Sequence, residues 1–135
     1  MRRTILTGGL VFTGGELVNT EVLVVDERIA AIGDGLPREG CDVLNLEGNM
    51  LSPGFIDVHT HGGDGVDINA ADYQQLAKLS RFFASQGVTG FLASILTDTE
   101  EATKRAVDAV CEFMDRPLPG AKCLGIHLEL SLIHI

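Results

Sequence analysis

Residues 55–63 read Phe55-Ile56-Asp57-Val58-His59-Thr60-His61-Gly62-Gly63, an apolar segment that ends on two histidines and two glycines. Pro53-Gly54 in front and Gly62-Gly63 behind mark its limits, so it reads as one strand. In a strand, positions i and i+2 face the same way, so His59 and His61 can reach one metal ion from a single rigid element. Parallel α/β sheets and barrels gather their active sites at the C-terminal ends of strands, which is where this pair falls. In a regular strand Asp57 is expected to turn to the opposite face, where bonding to nearby backbone and catalysis are both open to it.

Working outward, a helical pattern runs from about Ala71 to Ser85, with Leu76, Leu79 and Phe83 at i, i+3 and i+7 on one face. Gly87-Val88-Thr89 then leads into an apolar run, Gly90 to Leu96. Thr97 or Asp98 is expected to cap a second helix, with Glu100 or Glu101 three residues on. Its buried face would be Ala102, Ala106, Val110 and Phe113 or Met114, and Pro117 and Pro119 would stop it. Cys123 to Glu129 makes a third strand, on which His127 and Glu129 share a face. A carboxylate there can complete a mixed imidazole and oxygen ligand set with His59 and His61, and taken alone Glu129 reads equally as a solvated residue at a strand terminus. Thr89 and Thr97 read as structural.

The order strand, helix, strand, helix, strand calls for parallel strands with helical crossovers. Periodicity alone does not separate a doubly wound sheet from a (β/α)8 barrel. Before Pro53 the texture differs: Arg3 to Thr7, Leu10 to Thr13, Thr20 to Val25 and Ile29 to Gly33 read as short strands of a small β-rich module.

Composition narrows the function. Forty-five per cent hydrophobic and 21% charged residues in a 135-residue chain fit a folded unit. A net charge of -9 disfavours nucleic acid as a partner, since that affinity comes from Lys and Arg neutralising phosphates. No apolar run approaches the roughly 20 residues of a membrane span. Thr7-Gly8-Gly9 interrupts any export signal begun by Arg2-Arg3, so a cytoplasmic chain is expected. Cys41, Cys111 and Cys123 lie far apart and read as reduced structural thiols.

Ser52-Pro53-Gly54 together with residues 55–63 resembles the first-strand signature of the amidohydrolase superfamily. Three features resemble the N-acetylglucosamine-6-phosphate deacetylases more narrowly: the Gly-Gly after the histidines, Gly87-Val88-Thr89-Gly90-Phe91-Leu92, and Gly125-Ile126-His127-Leu128-Glu129. The resemblance implies an α/β fold, the first three strands of a (β/α)8 TIM-type barrel preceded by a small β-sandwich. The expected domains are 1–52 for the sandwich part, 53–129 for the first barrel units and 130–135 for an aberrant or truncated tail. It implies Glu129 as principal metal ligand, with His59 and His61 serving a second metal. One or two divalent ions are therefore expected, zinc by preference, with iron, manganese and cobalt as the other choices.

The implied reaction is metal-assisted hydrolysis of the acetamide of N-acetylglucosamine 6-phosphate to glucosamine 6-phosphate and acetate. The general-base aspartate and two further histidine ligands are expected beyond residue 135, so no catalytic residue is assigned within the chain, and the chain alone is expected to be inactive. The partners implied are a small amino-sugar phosphate and, at full length, a second copy in a dimer, with neither nucleic acid nor membrane. After Glu129 the family continues Gly-Pro-Phe, whereas this sequence reads Leu130-Ser131-Leu132-Ile133-His134-Ile135, and His134 receives no role. The alternatives are another cyclic amidohydrolase, dihydroorotase- or hydantoinase-like, and a non-catalytic metal-binding remnant.

Overall fold

A computed structural model describes residues 1–116 and 119–129. Within it the chain divides into two compact units between Pro53 and Gly54. The expectations for Pro117 and for the tail 130–135 lie outside the described residues.

The first unit is all strand: β1 (Arg3–Thr7), β2 (Leu10–Thr13), β3 (Glu16–Asn19), β4 (Glu21–Val25), β5 (Arg28–Gly33), β6 (Asp42–Asn45) and β7 (Met50–Leu51). They form a four-stranded sheet in the order β5-β4-β1-β6 and a three-stranded sheet in the order β3-β2-β7. Gly14 and Gly15 both have positive φ, 61° and 88°, as a two-residue hairpin between β2 and β3 requires. Three of the seven strands, β3, β6 and β7, were not expected. They are two to four residues long, and all of β3 and β6 is exposed, so they carry no apolar alternation to read. The buried apolar side chains are Ile5, Val11, Val22 and Leu23.

The second unit runs β8 (Phe55–Thr60), β9 (Gly62–Gly63), β10 (Val66–Asp67), α1 (Tyr73–Ser85), β11 (Val88–Leu96), α2 (Glu100–Asp115) and β12 (Lys122–Glu129). Its main sheet has the order β12-β11-β8, and both pairings are parallel, as the alternation of strands and helices requires. The Gly-rich stretch after His61 is a small antiparallel hairpin. Asp64 and Gly65, at φ 49° and 77°, form its turn. Gly62 has φ 138°, and a Cβ there would lie 2.0 Å from the Val66 carbonyl oxygen, so glycine is required.

Helix α1 begins with a full capping box, in which the Asp72 carboxylate accepts from Gln75 N–H at 2.8 Å and the Gln75 side chain accepts from Asp72 N–H at 3.0 Å. Leu76, Leu79 and Phe83 are buried as their spacing predicts. The cap of α2 is Thr99, not Thr97 or Asp98: its hydroxyl accepts from Ala102 N–H at 3.2 Å. Ala106, Val110 and Phe113 are buried, while Met114 is exposed. These faces pack with Phe91, Ala93 and Ile95 of β11 and Cys123 of β12 into one apolar cluster. Each large apolar side chain there contributes about 1.5–3 kcal/mol by leaving water. Burial also pushes the Cys123 thiol up from its ordinary value, and the three cysteines are unpaired. Among the described residues no helix is long and apolar enough to cross a membrane.

Candidate metal centre

The site lies at the C-terminal ends of β8 and β12, on either side of the central strand β11. His61 stands one residue past β8. Its Nδ1 lies 3.2 Å from the Ser94 carbonyl oxygen of β11. A carbonyl only accepts, so in the neutral ring Nδ1 carries the proton and Nε2 presents its lone pair. Fully buried Ser94 also accepts from Thr60 N–H through its hydroxyl at 3.1 Å, so one residue holds both the strand end and the ring.

Glu129 is the last residue of β12. Thr97 donates to its carbonyl oxygen twice, from the backbone N–H at 3.1 Å and from the hydroxyl at 2.8 Å. On the other side of β11, the Asn69 side chain donates to the Leu96 carbonyl at 3.1 Å and accepts from Leu96 N–H at 2.9 Å. The ends of β11 and β12 are thus fixed by side chains after the ladder stops.

The Glu129 carboxylate oxygen Oε2 lies 3.2 Å from His61 Nε2 and 3.4 Å from His59 Nε2. All three ligand atoms fall within 4.8 Å of one another. An ion with tetrahedral bonds of about 2.0–2.1 Å separates its donors by about 3.3–3.4 Å, so the two contacts with Glu129 have the length of tetrahedron edges. Two imidazole nitrogens and one carboxylate oxygen are a donor set that first-row divalent ions accept. The side chains are between 37% and 49% exposed, so the cluster is open to water and a solute. The structure therefore brings together all three residues singled out as ligands.

Two details differ from expectation. Positions 57, 59 and 61 have the same parity, so a regular strand turns Asp57 to the histidines' face and not away from it. The strand is also irregular: Asp57 pairs with Phe91 and Thr60 with Ala93, which leaves Val58 and His59 opposite Leu92 alone. The Asp57 carboxylate accepts from His59 N–H at 3.1 Å, a bond to nearby backbone. His127 is the neighbour to which no role had been assigned. Its ring lies edge-on to His59 at 5.0 Å, and its Nδ1 is 3.4 Å from the Val58 carbonyl oxygen. The signal available was its i, i+2 relation to Glu129. Thr89 donates to the Phe55 carbonyl at 3.4 Å, away from the cluster.

No family model matches the chain. It is similar to the N-acetylglucosamine-6-phosphate deacetylase of Vibrio furnissii, with 34% identity over 121 residues, 88% of this chain and 30% of that protein. The crystal structure of N-acetylglucosamine-6-phosphate deacetylase from Pasteurella multocida superposes on 96% of the chain with a TM-score of 0.82 and 25% identity, covering 35% of that chain. Over most of its length the chain is similar to the N-acetylglucosamine-6-phosphate deacetylases. It spans about a third of the length of these deacetylases. A shorter match, 44% identical over 57 residues, is to dihydroorotase of Lactobacillus leichmannii, covering 42% of this chain and 13% of that protein. The mixed, strand-rich α/β architecture of the chain is that of the deacetylase structure.

Proposed function

We infer that this chain supplies the first metal-binding strands of an enzyme that removes the N-acetyl group from N-acetylglucosamine 6-phosphate, releasing acetate and the free amino sugar phosphate. The observation that carries the reading is the convergence of His59 Nε2, His61 Nε2 and Glu129 Oε2 at the ends of parallel strands. Similarity to the deacetylases over most of the chain supports the substrate class. In this reading β8, β11 and β12 open a (β/α)8 barrel, the strands before Pro53 belong to a small β-sandwich, and the intact enzyme is a cytoplasmic homodimer.

When bound, a divalent ion such as zinc lowers the pKa of water toward about 7 and polarises the amide carbonyl. The chain's own part is preparation. Ser94 fixes the His61 tautomer with its lone pair toward the cluster, Thr97 sets the height of Glu129, and the open face admits a polar substrate. Glu129 contributes negative charge against which a cation is held.

The test is acetate release from N-acetylglucosamine 6-phosphate by the intact protein that carries this chain, with and without a chelator. Metal-dependent release that Glu129→Ala abolishes supports the reading, and metal-independent release or none with any divalent ion overturns it. The short dihydroorotase match keeps a cyclic amide as the second reading. Ring opening of dihydroorotate or a hydantoin, without acetate release from the sugar, decides for that class.

A further inference from the structure

His127 stands beside the metal cluster, and its nitrogens are not among the three converging atoms. Strands β12 and β8 are not neighbours in the sheet, because β11 separates them. The His127 side chain nevertheless spans β11 and meets β8 twice, at the Val58 carbonyl and at the His59 ring. Both contacts fall on the two residues that stand opposite Leu92 alone.

An extra residue in one strand bends it and takes its polar groups out of the ladder. Here the two groups flanking the Val58–His59 peptide find side-chain partners. Asp57 accepts from the His59 N–H, and His127 approaches the Val58 carbonyl with Nδ1 at 3.4 Å, so Nδ1 carries the proton. The His59 ring is then set by a short irregular segment and not by strand register. It has a ring edge on each side, His61 at 4.9 Å and His127 at 5.0 Å.

We propose that His127 is a positioning residue for His59: it fixes the irregular Val58–His59 peptide and flanks the ring, so that His59 Nε2 stays aimed at Glu129 Oε2. The proposal rests on the metal-site reading above. A residue that only filled space would affect folding, whereas this role is exercised through one ligand and is lost with it.

The experiment is a double-mutant cycle read by cobalt(II) binding to the intact protein carrying this chain, using affinity and the visible absorption of the bound ion. Loss of a partner that orients a metal-binding histidine typically weakens the metal by about 10- to 100-fold, and His127→Ala is expected to fall in that range with a changed cobalt spectrum. His127→Asn, whose amide can donate from the place of Nδ1, is expected to recover most of the affinity. In a His59→Ala background the same His127→Ala change is expected to move affinity by less than about threefold, because coupled residues are not additive.

Equal losses with and without His59, or an unchanged affinity and spectrum in His127→Ala, overturn the proposal. Should His127→Ala fail to fold, His127→Asn and His127→Phe replace it: affinity kept by Asn and lost by Phe supports the role, and equal affinities overturn it. A wild-type protein that takes up no cobalt overturns the metal reading and this proposal together. Cobalt bound indifferently to residue 127 overturns this proposal alone.

Discussion

The ends of β8 and β12 deliver ligands to the same point by different means. β12 pairs in step with β11 from Leu92↔Gly125 to Leu96↔Glu129, so Glu129 is aimed by register, and Thr97 only secures the last carbonyl. β8 falls out of step with β11 at Val58–His59, and His59 and His61 depend on Asp57, Ser94 and His127. A ligand at the end of a regular strand inherits its position from the sheet, whereas one on an irregular end needs partners of its own. Damage to partners is therefore expected to cost more at β8 than at β12.

The comparison breaks first if the ligands are not equivalent members of one set. His61→Ala and Glu129→Ala are each expected to weaken zinc by on the order of 100-fold or more, above the range for an orienting partner, as read by competition with a chromogenic chelator. A change below tenfold for either would remove that residue from the set. Next comes Ser94→Ala, which leaves the Thr60 N–H without its acceptor beside a fully buried position. It is expected to lower unfolding free energy by about 1–3 kcal/mol in denaturant titration and to weaken zinc as well.

Thr97→Val deletes the hydroxyl bond to the Glu129 carbonyl but keeps the backbone one. The expected cost is about 0.5–1.5 kcal/mol with only a few-fold effect on zinc. A zinc effect larger than that of Ser94→Ala would reverse the ranking of the two strand ends. The smallest effect concerns the start of β12. Burial raises the Cys123 thiol above its ordinary value of 9.0, so its neutral form favours the fold. That contribution is complete below pH 9.0 and is lost as pH rises through the folded value. Wild type is therefore expected to lose slightly more stability than Cys123→Ala between neutral and strongly alkaline pH, and equal losses would argue against burial of the thiol.

The sequence exposed those parts of this arrangement that depend on near neighbours. Leu76, Leu79 and Phe83 share a helix face because 3.6 residues make a turn, and His59, His61 and Glu129 stood out because their side chains bear metal-binding atoms on apolar strand ends. What it hid depends on pairing between distant segments. The misfit at Val58–His59 exists only relative to Phe91 and Ala93, more than 30 positions away. The part played by His127 exists only because β12 and β8 flank the same strand.

Two misses were legible locally. Asp64-Gly65 between short segments is a recognised hairpin turn, and Thr99 is a favoured N-cap residue type, although Ala102 three residues on has no acceptor to complete a capping box. The face of Asp57 follows from the sequence as well, since positions 57, 59 and 61 share one parity. In the first unit, Asp42–Asn45 pairs in parallel with Thr4–Thr7, a contact that no short-range pattern announces.

The Asn69 amide has a consequence beyond the site. Its oxygen and nitrogen occupy the N–H and carbonyl of Leu96, the groups through which a further strand would bind the last residue of β11 on that side. A single side chain therefore imitates one peptide unit and closes the template. Because β11 is the central strand, Asn69 serves it where β8 has already ended, and the last residue of β11 keeps both its backbone groups bonded.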